Sequence, residues 1–169
     1  IKKNRSLEEL TFLRNIAHAK LYISKVTGNI FPDRIHSKKK NLKIWSNRYE
    51  KKIYSSKIKY FDIRHKKIIS FTKNFFSNNC KVADLGCGNA NLVENLEKKF
   101  KSINIYGFEH SKFVYKKNQK KNNKIKFINS AIENIDEKKF KNYFDIVFLT
   151  WTLSATTNPL KIVKKINKI

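Results

Sequence analysis

Apolar positions in the first part of the chain recur at the spacing of a helix. A capping-box pattern at residues 6–9, SLEE, comes just before them. The apolar residues then lie three or four positions apart, at Leu10, Leu13, Ala17 and Leu21. This spacing predicts an amphipathic helix. The stretch 26–34, VTGNIFPDR, holds a glycine and a proline and predicts a turn. Apolar positions from Leu42 to about Phe76 predict one or two further helices.

From Cys80 onward, short apolar runs alternate with amphipathic runs. The apolar runs predict strands at 81–85, 103–109, 124–130 and 144–150. The amphipathic runs predict helices at 92–100 and 111–122, a short helix within 132–140, and a last helix that begins at Asn158-Pro159. Strands that alternate with helices at this spacing form βαβ units. The sequence therefore predicts an α/β fold with a doubly wound, mostly parallel sheet.

The change of rhythm divides the chain near residue 80. We expect residues 1–79 to form a helical extension on the substrate side, and residues 80–169 to form the ligand-binding core. The chain begins with Ile1 and contains no methionine, so we expect it to be a piece of a longer protein. A doubly wound sheet normally continues beyond four units. We therefore expect a core that is truncated at its C-terminus, with 144–150 as an exposed edge.

The stretch VADLGCGNANLVENL, residues 82–96, joins the first predicted strand of the core to its first helix. Gly86 and Gly88 in this loop permit unusual backbone angles and the close approach of a ligand to main-chain N–H groups. Ligands of such sheets bind at the carboxyl ends of the strands, and the following helix adds the dipole of its N-terminus. A ligand cradle is therefore favoured over a plain tight turn.

Spacing within this loop distinguishes between possible ligands. The dinucleotide fingerprint G-x-G-x-x-G needs a third glycine at position 91, which is Asn91. The phosphate loop of nucleotide triphosphatases needs G-K-[ST], which does not follow Gly88. Asp84, at the end of the strand, suits a ligand that carries an ammonium group. The pattern thus excludes the dinucleotide fingerprint and the phosphate loop, and it favours a ligand that carries a positive charge.

Four segments together resemble the motifs of class I S-adenosylmethionine-dependent methyltransferases. VADLGCGNANL resembles the first motif, an apolar run followed by D/E-x-G-x-G-x-G, and IYGFEHS resembles the second, in which an acid ends the second strand. KIKFINSAIENI is similar to the third strand and its adenine-side loop, and FDIVFLTWTL to the fourth strand. The resemblance implies a Rossmann-like fold and S-adenosylmethionine as cofactor.

The resemblance also implies which residues bind the cofactor. Glu109 takes the place of the acid that binds the two ribose hydroxyls, Asp84 ends the first strand, and His110 is expected as a wall beside the adenine. The full predicted set is Asp84, Gly86, Cys87, Gly88, Glu109, His110, Ser130, Ala131 and Thr150. No metal ligand and no catalytic residue is assigned. Another histidine, His65, stands among basic residues and is expected to be exposed.

Two positions depart from the family pattern. Ala90 stands where a third glycine is common, and Asn129-Ser130-Ala131 stands where the family often has an acid for the adenine amino group. These departures keep open a non-catalytic binding module as an alternative function. No [DN]-P-P-[YFW] tetrad is present, which argues against amino-methylation of adenine or cytosine. Residues 22–60 faintly resemble sugar- and metabolite-modifying members, so a small-molecule or sugar acceptor is predicted.

The charge of the chain raises a second alternative. Lys and Arg number 38 against 13 Asp and Glu, a formal net charge of +25, and such a balance favours RNA or another polyanion as partner. Only five of the basic residues are Arg, the usual choice for reading phosphates. The abundance of Lys, Asn and Ile, which AT-rich codons supply, favours a mutational bias over RNA binding as the source of the charge. An RNA methyltransferase that uses its basic N-terminal region therefore remains the second candidate.

Other features bear on the compartment. No apolar run approaches the roughly 20 residues that span a bilayer, and the first residues lack the apolar centre of a signal peptide. Cys80 and Cys87 form neither a metal signature nor a disulfide framework. We expect a reduced, cytoplasmic protein that does not insert into a membrane.

Overall fold

The computed structural model describes residues 59–169 continuously. Before them it describes the segments 10–16, 19–24 and 30–32 and the single residues 37, 39, 40, 42, 43 and 46. Contacts divide the chain into two units, Ile1–Ser37 and Lys38–Ile169. None of the helices in the described part of the chain is both long enough and apolar enough to cross a membrane.

In the first unit, the described residues form a small antiparallel sheet. Its strands are β1 (Leu10–Ile16), β2 (Ala19–Ser24) and β3 (Ile30–Pro32), in the order β1-β2-β3. The pairing runs from Leu10 opposite Ser24 to Ile16 opposite Ala19, with an irregularity between Phe12 and Arg14.

The helix predicted over residues 6–21 is therefore wrong where the structure describes it. Apolar residues alternate along β2, which suits a strand, and the bulge in β1 shifts the alternation of that strand by one residue. The shifted pattern imitates helical spacing. The turn predicted over 26–34 contains β3, and the part of the expected N-terminal helices that spans 47–58 lies outside the described residues.

The second unit contains a parallel sheet of four strands. Helix α1 (Lys59–Thr72) leads through a short 3₁₀ turn (Lys73–Phe75) to β4 (Lys81–Leu85), α2 (Asn91–Lys99), β5 (Asn104–Glu109), α3 (Lys112–Lys121) and β6 (Lys126–Asn129). A 3₁₀ turn (Ile132–Asn134), β7 (Ile146–Phe148), a further 3₁₀ turn (Leu153–Ala155) and α4 (Pro159–Ile166) follow. The strand order is β6-β5-β4-β7, all parallel.

Apolar clusters cover both faces of this sheet. Val82 packs on one face with Ile69 of α1 and Leu96 of α2. Leu85 packs on the other face with Phe108 and Ile162 of α4. Burial on both faces is the reason why these strands read as continuous apolar runs. The predicted doubly wound α/β core is confirmed.

The last strand differs from its prediction. β7 spans three residues instead of the predicted 144–150, and it forms an edge of the described sheet. Before the strand, the main-chain N–H groups of Tyr143 and Phe144 both donate to the carbonyl of Ile169, at 2.7 and 2.8 Å. These residues therefore join the end of the chain instead of extending the strand.

Candidate functional site

The carboxyl ends of the parallel strands bring the predicted site residues to one edge of the sheet. Asp84, near the end of β4, pairs in register with Gly107 of β5 and Phe148 of β7. Glu109, the last residue of β5, pairs with Asn129 of β6. Both carboxylates are almost fully buried. Two acids that are far apart in sequence thus lie around one loop, the glycine loop of residues 86–90.

Three residues of the glycine loop adopt left-handed backbone angles. Gly86 has φ +87°, Gly88 has φ +52° and Ala90 has φ +64°. A residue with a Cβ atom is disfavoured at such angles by about 1–2 kcal/mol. This cost is a physical reason why the family motif commonly has glycine at the position of Ala90. The methyl group of Ala90 is fully buried in the apolar cluster. Its burial offsets part of the backbone cost.

The main-chain N–H groups of the loop are already used within the protein. Those of Gly86 and Cys87 both donate to the carbonyl of Phe108, at 2.8 and 2.9 Å. That of Gly88 donates to Oε2 of Glu109 at 3.0 Å. Through these bonds the N–H groups bind the loop to the end of β5. The close approach of a ligand to the main chain at Gly86 and Gly88 stays a prediction.

The protein's own side chains also explain two of the glycines. A Cβ atom at Gly86 would lie 2.6 Å from Cγ2 and from Oγ1 of Thr152, so Thr152 fills the space beside the loop. A Cβ atom at Gly107 would lie 3.0 Å from Sγ of Cys87. Cys87 is buried, and burial, followed by the charges of Asp84 and Glu109, raises the pKa of its thiol well above the usual value. The thiol packs against the sheet, and a role for Cys87 in cofactor binding stays a prediction.

Glu109 is held by main-chain donors. Its Oε1 accepts from the N–H of Ser111 at 2.7 Å, and its Oε2 accepts from the N–H of Gly88 at 3.0 Å. Nδ1 of His110 lies 3.2 Å from Oε1. A carboxylate offers about four acceptor positions, so three are in use. The remaining position is on Oε2, where it can accept one hydroxyl group.

His110 bridges the site to the segment that precedes α1. Its Nε2 lies 3.2 Å from the carbonyl oxygen of Leu42. Burial lowers the pKa of His110. The hydrogen bond to Glu109, the charge of Glu109 and the carbonyl of Leu42 together raise the pKa by more than burial lowers it, so the net shift is upward. Because both ring nitrogens face acceptors, the charged imidazolium, with two N–H donors, fits this place best.

Asp84 has a different environment. It is 1% exposed, and Oγ1 of Thr150 donates to its Oδ1 over a long 3.5 Å. Burial raises the pKa of Asp84 to about 7; the bond from Thr150 lowers it, and the charge of Glu109 raises it. A cationic group beside Asp84 would favour the ionised form. The chemistry of this residue therefore fits the ammonium group expected from the sequence.

The segment after β6 is tied to the end of β5. Ser130 N–H and the side-chain amide of Asn129 both donate to the carbonyl of Glu109, at 3.1 and 2.8 Å. The hydroxyl of Ser130 donates to the carbonyl of Ala131 at 3.0 Å. Ser130 thus lies next to Glu109, and the contact of Ser130 and Ala131 with adenine stays a prediction.

The glycine loop is also held by Asn118, a residue that was not predicted from the sequence. Asn118 of α3 is 2% exposed, and its Nδ2 donates to the carbonyl of Gly88 at 2.8 Å. Side chains therefore hold both main-chain groups of Gly88. A signal was present: Asn118 follows the buried Val114 by four residues, so it lies on the inner face of a helix that is otherwise rich in lysine.

Beyond β7, Trp151 stands between Thr150, which contacts Asp84 of β4, and Thr152, which lies against Gly86 of the glycine loop. It has φ +57° and is 46% exposed. Its ring makes an edge contact with His65 of α1, with the ring centroids 5.8 Å apart. His65 is buried, so the prediction that it is exposed is wrong. It lies on the inner face of α1, four residues before the buried Ile69.

Comparison with known proteins decides the family. Residues 76–169 match the family model of a methyltransferase domain. The chain belongs to this methyltransferase family. The family and the fold expected from the sequence are thereby confirmed, whereas the motif assignments and the roles of the individual site residues stay predictions.

Among solved structures, the chain is similar in fold to the plantazolicin methyltransferase BpumL in complex with S-adenosylhomocysteine. The TM-score is 0.60 at 19% identity, over 75% of this chain and 51% of that one. It is also similar in fold to a putative S-adenosylmethionine-dependent methyltransferase from Methanococcus maripaludis, with a TM-score of 0.55 at 19% identity, over 81% of this chain and 62% of that one.

A curated relative is the tRNA (guanine-N(7)-)-methyltransferase of Mycoplasma capricolum subsp. capricolum. It is 25% identical in an alignment of 121 positions that covers 65% of this chain and 53% of the relative. The chain thus spans about half the length of that relative.

Proposed function

We propose that this protein is an S-adenosylmethionine-dependent methyltransferase that binds its cofactor at the carboxyl edge of β4 and β5. The observation that carries the proposal is the pair of buried carboxylates, Asp84 and Glu109, placed on either side of the glycine loop. Membership of the methyltransferase family supports it, as does the S-adenosylhomocysteine in the similar fold of BpumL.

The donors and acceptors in the site fit this cofactor. Oε2 of Glu109 has room to accept one ribose hydroxyl, and acceptance of the second hydroxyl on Oε1 requires His110 to release that atom. Asp84, once ionised, faces the positively charged end of the ligand. When bound, the cofactor supplies an activated methyl group. The protein's own task is then to hold the two reactants in line and to exclude water.

For the acceptor, a small molecule is the first candidate. BpumL, which is similar in fold at a TM-score of 0.57, has been solved in complex with a monoazolic desmethylPZN analog and S-adenosylhomocysteine. A sugar acceptor rests on residues 22–60, most of which lie outside the described residues. It therefore stays a prediction.

RNA is the second candidate, favoured by the charge of α3. The helix contains no acid, and half of its ten residues are exposed lysines, namely Lys112, Lys116, Lys117, Lys120 and Lys121. The relative from Mycoplasma acts on tRNA. Phosphate contacts by such a face would make binding fall steeply with salt, by about 0.7 in log–log slope for each phosphate neutralised on a single strand.

The RNA candidate is tested by the anisotropy of a labelled tRNA transcript at increasing salt. A triple variant of α3 (K116Q, K117Q, K120Q) should reduce both the affinity and the slope. A matched triple variant with lysines changed in or just after α4 (K161Q, K164Q, K168Q) serves as control. Equal losses in the two triples would show unspecific attraction by the net charge and would count against RNA as acceptor.

The cofactor site is tested by calorimetry with S-adenosylhomocysteine and its 2′-deoxy and 3′-deoxy analogues. Removal of a hydroxyl that donates to Glu109 should weaken binding by about 1.5–3 kcal/mol, the usual value for a hydrogen bond to a charged group. The Glu109→Ala variant should lose the difference between the ligands. Glu137→Ala, a change at a half-buried carboxylate paired with Lys168, is the control. Equal affinity of all three ligands for the native protein would refute the ribose assignment.

A further inference from the structure

Trp151 combines three features that packing alone does not require. It directly follows Thr150, close to the carboxyl end of β7. Its backbone is left-handed, with φ +57°, a conformation that is disfavoured for large side chains. Nearly half of its surface is exposed, although tryptophan is among the most apolar residues. Such backbone strain concentrates at functional sites.

The residues on either side place Trp151 at the rim of the cofactor site. Thr150 donates to Asp84 at 3.5 Å. The side chain of Thr152 lies against Gly86, within 2.6 Å of the position that a Cβ atom would take there. Because both neighbours contact β4 and its loop, the main chain at Trp151 cannot move far from the site.

Helix α1 supports the ring. The Cζ atom of Arg64 lies 5.0 Å from the centroid of the Trp151 ring, within the range of a cation–π contact. The ring of His65 meets it edge-on at 5.8 Å. These two contacts orient the indole and leave nearly half of the residue exposed.

We infer that Trp151 is the stacking platform for the methyl acceptor, and that the acceptor presents a planar heteroaromatic ring to it. This inference rests on the proposed function and names its substrate class. A flat π-system gains most from stacking on an indole. The guanidinium of Arg64 covers part of the indole, so the acceptor ring stacks on the part of the indole that remains exposed. A sugar has no planar π-system to place there.

The test uses ligand-observed NMR titrations of the protein saturated with S-adenosylhomocysteine. The planar probes are indole, thiazole and guanosine, and methyl α-glucoside is the non-planar control. Trp151→Asn keeps a residue that tolerates the left-handed backbone but removes the ring, and Trp151→Phe retains an aromatic ring. Planar probes should bind the Asn variant about five- to hundredfold more weakly than the native protein, and the Phe variant less than about threefold more weakly.

S-adenosylhomocysteine affinity and the melting temperature, measured on the same samples, should stay unchanged in both variants. A merely structural tryptophan would lower them and would leave the ratio of planar to sugar binding as it is. Failure of all three planar probes to bind, binding that survives in Trp151→Asn, or preference for the glucoside would overturn the inference while leaving the cofactor site intact. Absence of S-adenosylhomocysteine binding would overturn the proposed function itself, and the inference with it.

Discussion

The affinity for S-adenosylhomocysteine should depend on pH through Asp84. This carboxyl group is 1% exposed, and burial raises its pKa to about 7. The ligand carries an ammonium group, so it pairs with the ionised carboxylate and not with the protonated acid. Protons and ligand therefore compete for the same site. Lowering the pH from 8 to 6 should weaken binding.

The size of the effect follows from the fraction of Asp84 that is ionised. With a pKa of about 7, roughly nine-tenths of the carboxyl groups are charged at pH 8 and roughly one-tenth at pH 6. The apparent affinity scales with the binding-competent fraction. We expect binding about tenfold weaker at pH 6, or about 1.4 kcal/mol, with the steepest change below neutrality.

Calorimetry at pH 6, 7 and 8 and constant ionic strength measures this profile. Repeating the titrations in buffers of different ionisation heat counts the protons released, which should approach one for each ligand bound at pH 6. Asp84→Asn should bind weakly and without this dependence. His110 also has a raised pKa, so His110→Gln is the control that should keep the slope. A flat profile in the native protein, or a slope that persists in Asp84→Asn, would refute the assignment of Asp84.

Three further changes test the packing around the loop. The pKa of Asp84 is higher in the folded protein than in the unfolded chain. The unliganded protein should therefore lose up to about 4 kcal/mol of stability as the pH rises from about 4 to about 7. In urea titrations, Asp84→Asn should remove this loss. Asn118→Ala should cost about 1–3 kcal/mol and weaken S-adenosylhomocysteine binding, because the carbonyl of Gly88 loses its donor, whereas the exposed Gln119→Ala should change neither. Ala90→Gly should shift the free energy of unfolding by less than about 1 kcal/mol. Glycine relieves the left-handed backbone, but the folded protein loses a buried methyl group and the unfolded chain becomes more flexible. A loss well beyond this value would show that the methyl group is essential to the packing of the loop.

Local sequence determined most elements of the parallel core, although not the bounds of β7. The strand predicted at 81–85 has the same bounds as β4, because a strand buried on both faces must be apolar throughout. The start of α4 was equally visible: Asn158 caps the helix by accepting from the N–H of Lys161 at 3.0 Å, and Pro159 occupies its first turn. In both cases the deciding interaction lies within a few residues of the chain.

The first strands were decided by partners in the tertiary structure. The pairing of Ile16 with Ala19 and of Leu10 with Ser24 forms only once the segments come together, and the bulge after Phe12 hides the alternation that would have revealed it. When apolar residues repeat regularly neither every 2 nor every 3.6 positions, the pattern does not distinguish a helix from a strand, and strand pairing decides between them.

In the site, the sequence determined the chemical groups and the tertiary structure determined their partners. Acids at the ends of consecutive strands must meet, because parallel strands share one carboxyl edge, and this brought Asp84 and Glu109 together. No local pattern predicts that Phe108 takes the amides of the loop, that Asn118 holds Gly88, or that Arg64 lies over the ring of Trp151 87 residues later in the chain. Such contacts arise from the packing of distant elements, and only the folded chain brings them within hydrogen-bonding and stacking distance.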